Sequence, residues 1–398
     1  MTMTLPGKLR VALVTETYPP EVNGVAMTLG RLADGLAAAG HRMSIVRPRQ
    51  LQESDRPGNE RHLLTPGLPI PRYPELRFGL PSARRLHDAW RALRPDIVHI
   101  ATEGPLGFSA LITAHQLDIP IVSTFHTNFH RYSQHYGIGW LQGSIERYLR
   151  WFHNRTAVTL APTRKLADAL ARRGFHNVGV LSRGVDTRLF HPDRRSAALR
   201  ASWGVGKQDV VAIVVGRLAP EKNLDLALQA FAALRRHHPG AHMIFVGDGP
   251  LREKLTRQYP DCRFVGIRRG EDLAEHYASA DLFLFPSLTE TFGNVVSEAL
   301  ASGLPVVAFD YAAASDLIVT NENGRCVPPR DNTAFIDATV AVSAGKPPDT
   351  DCRSRCAGSV SHLAWSHIHD RYAALLHETI LHHPARPGDR SIFRCVPD

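Results

Sequence analysis

Short apolar runs alternate along most of the chain with longer amphipathic stretches, the signature of parallel strands joined by helices. Val11 to Thr15 predicts the first strand. A loop, Tyr18-Pro19-Pro20-Glu21-Val22-Asn23-Gly24, leads to a helix over Val25 to Ala39, which Gly40 is placed to end. Met43 to Val46, Ile97 to Ile100, Ile121 to Thr124 and Ala157 to Ala161 read as further strands of this half. A second cycle starts near Asp209. Val210 to Val215 is apolar throughout, as in a strand buried on both faces, and a helix over Leu224 to Arg235 follows it. Met243 to Val246, Cys262 to Val265, Leu282 to Phe285 and Val306 to Ala308 complete the set. The pattern therefore predicts an α/β chain of two doubly wound halves that meet around residues 185–208. Residues 1–188 form the first domain and 189–360 the second. A terminal helical segment spans 361–383, and a disordered tail 384–398. Residues 343–358, with Gly345, Pro347 and Pro348, read as an exposed loop.

The length, 398 residues, suits two domains of ordinary size. A content of 43% hydrophobic and 21% charged residues is that of a globular protein. No apolar run approaches the roughly 18 residues that span a bilayer. Val11-Ala12-Leu13-Val14 is too short for a signal peptide core. Five cysteines make no disulfide framework, and no second Cys or His pair completes a zinc site around Cys352 and Cys356. The expected location is cytoplasmic, with peripheral attachment to the inner membrane face as an option. The formal charge of +9 points either to an anionic partner or to a solvated basic surface. No zinc-finger, RNA-recognition or helix-turn-helix signature accompanies it, so no nucleic-acid partner is expected.

Candidate chemistry gathers at the carboxyl ends of predicted strands, where open α/β sheets bind ligands. After Leu282 to Phe285 comes the run Ser287 to Leu300. In it a helix starting near Gly293 or Asn294 offers free N–H groups and a positive dipole end to a diphosphate, with Val295 in its first turn. Gly293 permits close backbone approach. Glu290 lies in the loop, and Glu298 one turn inside the helix, where it is placed to accept from ribose hydroxyls. After Val210 to Val215 comes Gly216-Arg217-Leu218-Ala219-Pro220-Glu221-Lys222-Asn223. Arg217 and Lys222 can grip phosphate oxygens there, or serve only as charges on a solvated turn. The spacing is neither a Walker loop nor a dinucleotide fingerprint. Asn23-Gly24-Val25 opens the first helix, and His126 ends the strand Ile121 to Thr124, placed to hydrogen-bond a sugar hydroxyl or to help deprotonate an acceptor. Asp349-Thr350-Asp351 looks like a pair of metal-binding acids but falls in the Pro-rich segment, so no metal and no cofactor is expected.

In this order the motifs resemble those of the retaining nucleotide-sugar glycosyltransferases of family 4, from Val11 to about Tyr372. The carrying residues are Glu290 and Glu298, Gly216-Arg217 with Glu221-Lys222, Gly247-Asp248-Gly249-Pro250, and Asn23-Gly24-Val25. The resemblance implies two Rossmann-like domains facing across a cleft, the GT-B fold, with the last helix crossing back onto the first domain. It implies that Glu290 contacts donor-sugar hydroxyls and Glu298 the ribose, and that Arg217 and Lys222 hold the diphosphate. It also puts Gly24 in the lining of the donor site, His126 against the sugar, and the backbone at Val265 against the base. Front-face attack follows from the same resemblance, the leaving phosphate helping to remove the acceptor proton.

The opening Thr15 to Gly30 and the segment Phe125 to Tyr136 are similar to bacterial GDP-mannose-dependent α-mannosyltransferases acting on glycolipids. Related enzymes use UDP-glucose, UDP-galactose or UDP-glucuronate. The expected partners are thus a nucleotide diphosphate sugar and a lipid acceptor at an anionic membrane surface. A basic aromatic stretch (Arg131, Tyr132, Tyr136, Trp140, Arg147, Tyr148, Arg150, Trp151, Phe152, Arg155) could rest on such a surface, or its stripe Leu141, Ile145, Tyr148 and Phe152 could be core. Arg84, Arg85, Arg91 and Arg94 near Trp90 carry the same ambiguity. An epimerase or a phosphorylase on the same fold, or a hydrolase using the two glutamates, are the rival activities.

Overall fold

Successive side chains of a strand point to opposite faces, and the apolar strands of this chain are covered on both. In β10 (Val211–Val215), Val211, Ile213 and Val215 enter one buried cluster, while Ala212 and Val214 enter another. In β1 (Arg10–Val14), Val11 and Leu13 face one cluster, Ala12 and Val14 a second. Such strands need helices on both sides, and the computed structural model provides them. The structure describes residues 7–21, 23–50, 53, 61–70, 73–126, 142–343 and 346–384. The expected tail beyond Pro384 lies outside these residues, as do Arg131, Tyr132, Tyr136, Trp140 and Leu141.

The first parallel sheet contains β1, β2 (Arg42–Pro48), β3 (His62–Thr65), β6 (Ile97–Ile100), β7 (Ile121–Thr124), β8 (Val158–Ala161) and β9 (Val178–Val180), in the order 3-2-1-6-7-8-9. An antiparallel ribbon of β4 (Gly67–Ile70) and β5 (Tyr73–Gly79) lies outside it. The second parallel sheet contains β10, β11 (His242–Val246), β12 (Arg263–Gly266), β13 (Leu282–Phe285), β14 (Val306–Phe309) and β15 (Gly324–Val327), in the order 12-11-10-13-14-15. Strand order reverses between β1 and β6 in the first sheet and between β10 and β13 in the second. Loops at these switch points diverge, and the crevice between them is where such sheets bind ligands.

The last helix, Trp365–Leu381, packs on the helix Gly24–Ala38 of the first domain. The approach is close: a β-carbon on Gly35 would lie 2.3 Å from the His369 ring. Tyr372 bonds the buried His99 of β6 at 2.5 Å, and Val185 N–H donates to the Leu363 carbonyl at 2.9 Å. The connector after β9 is fastened to the second domain. Arg195 and Arg200 both reach the fully buried carboxylate of Asp281 at 2.8 Å, as does Arg353 from the far end of the domain.

That last contact anchors a helix where the sequence pattern predicts a loop. The loop expected over 343–358 contains the helix Thr350–Ser359. Asp349 caps it by accepting from Cys352 N–H at 2.8 Å, and Arg353 and Cys356 are its buried face. Asp349 and Asp351 are thus an exposed cap and a first-turn acid. Proline and glycine frequency in the preceding segment masked a helix that is held by one buried ion cluster.

Candidate active site

The loops after β10 and β13 flank the switch point of the second sheet. Gly216 leaves β10 with its N–H bonded to Val246 O, and Gly247 sits so close that a β-carbon there would lie 1.9 Å from Gly216 O. With φ of 136° as well, Gly247 tolerates no side chain. The turn that follows Gly216 is tied to the β13 loop through Leu288 N–H on Glu221 O at 2.9 Å. In that loop, Glu290 Oε1 accepts from Ser287 Oγ at 2.8 Å and forms an ion pair with Lys222. Tyr311 holds the loop from below, donating to Ser287 O at 2.8 Å.

Gly293, at φ 88°, turns the chain into the helix Asn294–Ala301. A β-carbon there would come 3.2 Å from Phe285. The helix start carries no side-chain cap, and Val296 N–H is taken by Gly293 O at 3.0 Å. Asn294 and Val295 are left to present first-turn N–H groups, the anion-binding end of the dipole. Val295 turns its own side chain against the core. One turn on, Glu298 accepts from Tyr277 Oη at 3.1 Å. Burial pushes the Glu298 carboxyl up to about 7, with the Tyr277 bond acting in the opposite direction.

The first domain contributes across the cleft. Asn23 caps the helix Gly24–Ala38, its Oδ1 accepting from Val25 and Ala26 N–H at 3.1 and 2.8 Å. Gly24 is exposed and lies against Arg183, whose Nη1 would be 2.9 Å from a β-carbon on that glycine. The same Nη1 is 3.5 Å from Asn294 Oδ1, and the guanidinium stands 5.6 Å over the Phe292 ring. His126 is close enough to feel the Arg183 charge. Burial first, then Arg183, hold its imidazole well below the usual histidine range, hence neutral. Both its ring nitrogens are buried without a hydrogen-bond partner among the described residues. A neutral imidazole of this kind is a hydrogen-bonding group for a hydroxyl, and only a weak base.

Gly24, His126, Lys222, Glu290, Gly293 and Asn294 therefore surround one cleft. Arg217, next to Gly216 in the chain, is exposed; among the described residues it has no ion pair, and no contact ties its side chain to the others. Val265 is less simply placed: its carbonyl already accepts from Arg268 Nη2 at 2.8 Å. Val265 also lines a groove of about 920 Å³ along β12 that holds none of the other expected site residues.

Several residues were not picked out from the sequence. Arg183 and Tyr277 lie in segments with no recognisable motif. Glu16 and Glu103 follow β1 and β6 directly, at the switch point of the first sheet, and the strand-end rule applied to that sheet would have found them. Burial pushes both carboxyls up to about 7. Glu16 accepts from Leu106 N–H at 3.4 Å, at the start of the helix Pro105–Leu117. Among the described residues no group of three or more His, Cys, Asp or Glu side chains is arranged to hold a metal ion, and Cys262, Cys326, Cys352 and Cys356 are free thiols. No described helix is long and apolar enough to cross a membrane.

Two parallel-sheet domains facing across a cleft, with an uncapped helix start at Asn294 and the Lys222–Glu290 pair on its second-domain side, define a two-domain α/β enzyme fold with an anion-suited cleft. Comparison with known proteins narrows the class. Residues 22–189 match the model of Glycosyltransferase Family 4, and residues 209–344 that of Glycosyl transferases group 1. The chain is 36% identical over 327 residues to a GDP-mannose-dependent alpha-mannosyltransferase of Mycobacterium tuberculosis, covering 80% of this chain and 84% of that one. It is 29% identical over 324 residues to an alpha-monoglucosyldiacylglycerol synthase of Acholeplasma laidlawii, covering 75% and 80%. The fold matches sucrose-phosphate synthase of Thermosynechococcus elongatus with a TM-score of 0.72 at 19% identity, over 94% of this chain and all of that one. The chain belongs to glycosyltransferase family 4, and its activity is that of a hexosyltransferase using a nucleotide sugar.

Proposed function

We propose that the enzyme moves mannose from GDP-mannose to a diacylglycerol-based glycolipid with retention of configuration, at an anionic membrane surface. Support for the donor is the similarity to a GDP-mannose-dependent relative. The observation that carries the acceptor is an aromatic face beside the cleft. Phe108, Tyr148 and Trp151 stack with ring centroids 5.8 and 6.3 Å apart, and Arg155 covers Trp151 at 4.1 Å. Phe108 is 41% and Tyr148 36% exposed, and Arg147 and Arg150 flank them in solvent. Aromatic rings rimmed by arginine suit the interface of an anionic bilayer. Tyr148 also donates to Glu103 O at 2.6 Å, so this face adjoins the switch point of the first sheet. The other side of the same helix, through Leu149 and Phe152, is core. The predicted stripe is thereby divided: Phe152 belongs to the interior and Tyr148 to the surface. The basic residues around Trp90 form a solvated face over a buried indole.

In the reaction, Arg217, Lys222 and the helix start at Asn294 stabilise charge on the diphosphate as the donor bond breaks. Glu290 holds donor-sugar hydroxyls and Glu298 the ribose. Neutral His126 bonds the sugar. No metal is required, because cations and a helix dipole already meet the phosphates.

A glucosyl transfer to diacylglycerol is the second reading, favoured by the Acholeplasma laidlawii relative's name. The test mixes the protein with GDP-mannose, UDP-glucose, UDP-galactose or UDP-glucuronate, each with diacylglycerol or phosphatidylinositol in detergent, with and without EDTA. New glycolipid is read by mass spectrometry. Mannolipid from GDP-mannose, unaffected by EDTA, is expected. Product from a UDP-sugar alone overturns the donor, and donor binding with no lipid product overturns the acceptor.

A further inference from the structure

Arg183 follows β9, the last strand of the first domain, and its side chain ends in the second. Its residue is only 5% exposed. Nη1 reaches Asn294 Oδ1, while Nε and Nη2 are buried with no hydrogen-bond partner among the described residues. No carboxylate forms an ion pair with it there. Glu290 is near enough to stabilise its charge, but Lys222 and Ser287 already bond that carboxylate. Burying a guanidinium with unfilled donors is costly. The groups around it share one preference. Asn294 starts a helix, with its positive dipole end. Gly24 supplies a surface with no side chain, and a β-carbon there would collide with Nη1. His126, neutral and also unpartnered, adds hydrogen-bonding capacity without negative charge.

Resting on the nucleotide-sugar reading above, we propose that Arg183 is a phosphate-binding residue supplied by the first domain across the cleft, which grips the donor's sugar-bearing phosphate at the Asn294 helix start. Arg217 and Lys222 come from the second domain, so the diphosphate is fully enclosed by cations only when both domains face it. The planar fork of Arg183 bonds two phosphate oxygens at once. During transfer, the bond from the anomeric carbon to the phosphate oxygen breaks with its electron pair passing to that oxygen. The acceptor hydroxyl oxygen forms the new bond to the same carbon, and its proton passes to the phosphate. Arg183 stabilises the charge that develops on the leaving phosphate and links donor binding to domain closure.

The test uses the full chain and titration calorimetry with GDP and GMP, beside UDP and UMP. Wild type is expected to favour the diphosphate over the monophosphate. Arg183→Ala should weaken diphosphate binding about 10- to 100-fold, the range for a lost charge-assisted hydrogen bond, and leave the monophosphate within twofold. Arg183→Lys should recover part of the loss, which keeps the test open if the alanine variant fails to fold. X-ray scattering should show compaction on GDP addition in wild type and less in either variant. Unchanged diphosphate affinity in a folded variant overturns the inference and leaves the donor reading standing. The same holds if only the KM for the lipid acceptor rises, because the guanidinium then serves the acceptor. A wild type that binds no nucleoside diphosphate overturns both.

Discussion

Tyr277→Phe isolates one oxygen atom. Tyr277 is fully buried, packed edge-on at 5.8 Å against both Phe190 and Phe283, so phenylalanine keeps the packing and removes only the hydroxyl that donates to Glu298. A hydrogen bond to a charged group is worth about 1.5–3 kcal/mol. At about 1.36 kcal/mol per pKa unit, that loss corresponds to roughly one to two units. The Glu298 carboxyl, already pushed up to about 7 by burial, moves further up. The sign follows from the proposed ribose contact: an ionised carboxylate accepts from hydroxyls better than a protonated one, so donor affinity should rise as pH passes upward through the carboxyl's pKa. Near pH 7 wild type is about half ionised, and the variant roughly 1–10%. GDP affinity should therefore fall about 5- to 50-fold near neutrality, with the gap closing toward pH 9. Calorimetric titration of GDP at intervals from pH 6.5 to 9 reads this directly. Taking the ratio of variant to wild type at each pH cancels the nucleotide's own ionisation. A ratio near one at pH 7, or a deficit that does not shrink with rising pH, would refute the role of Tyr277 in holding Glu298 ionised for the ribose.

Glu290→Gln and Arg217→Ala should each lower turnover by roughly 100-fold or more while circular dichroism stays unchanged. Wild-type turnover in either variant would remove that residue from the site. Asp281→Asn strips the shared partner from Arg195, Arg200 and Arg353 and should cost about 3–5 kcal/mol, measured by urea unfolding. A loss below about 1 kcal/mol would place the three arginines outside the stability of the second domain. Burial lowers His99 to about 3, so the stability tied to its neutral form is complete above its unfolded value of about 6.5 and is lost as pH falls toward 3. His99→Gln should flatten the fall of the urea midpoint between those limits, and parallel slopes in the two proteins would dismiss the buried imidazole as its source. Trp151→Ala should weaken sedimentation with phosphatidylglycerol vesicles about tenfold, for roughly 1.4 kcal/mol of lost apolar burial, and leave GDP binding unaltered. Equal sedimentation would move the membrane face elsewhere.

Strand period and helix period are local properties, and they carried the architecture. Runs such as Val210 to Val215 and Leu282 to Phe285 are apolar because both faces of their sheet are covered, so two doubly wound halves were legible without coordinates. The strand-end rule then pointed to Gly216–Lys222 and Ser287–Glu298, two segments that the structure brings side by side through Lys222 and Glu290. Short or mixed elements escaped. β9 (Val178–Val180) and β15 (Gly324–Val327) are only three and four residues long, and the helix Thr350–Ser359 has too little apolar content to show a period. What only tertiary structure decided depends on residues far apart in sequence. Arg183 acquires its meaning from Gly24 and Asn294, Glu298 from Tyr277, and Arg353 from Asp281. A buried charge or a displaced carboxyl pKa depends on which groups surround it in space and how much water they exclude, and neither follows from the order of residues along one segment.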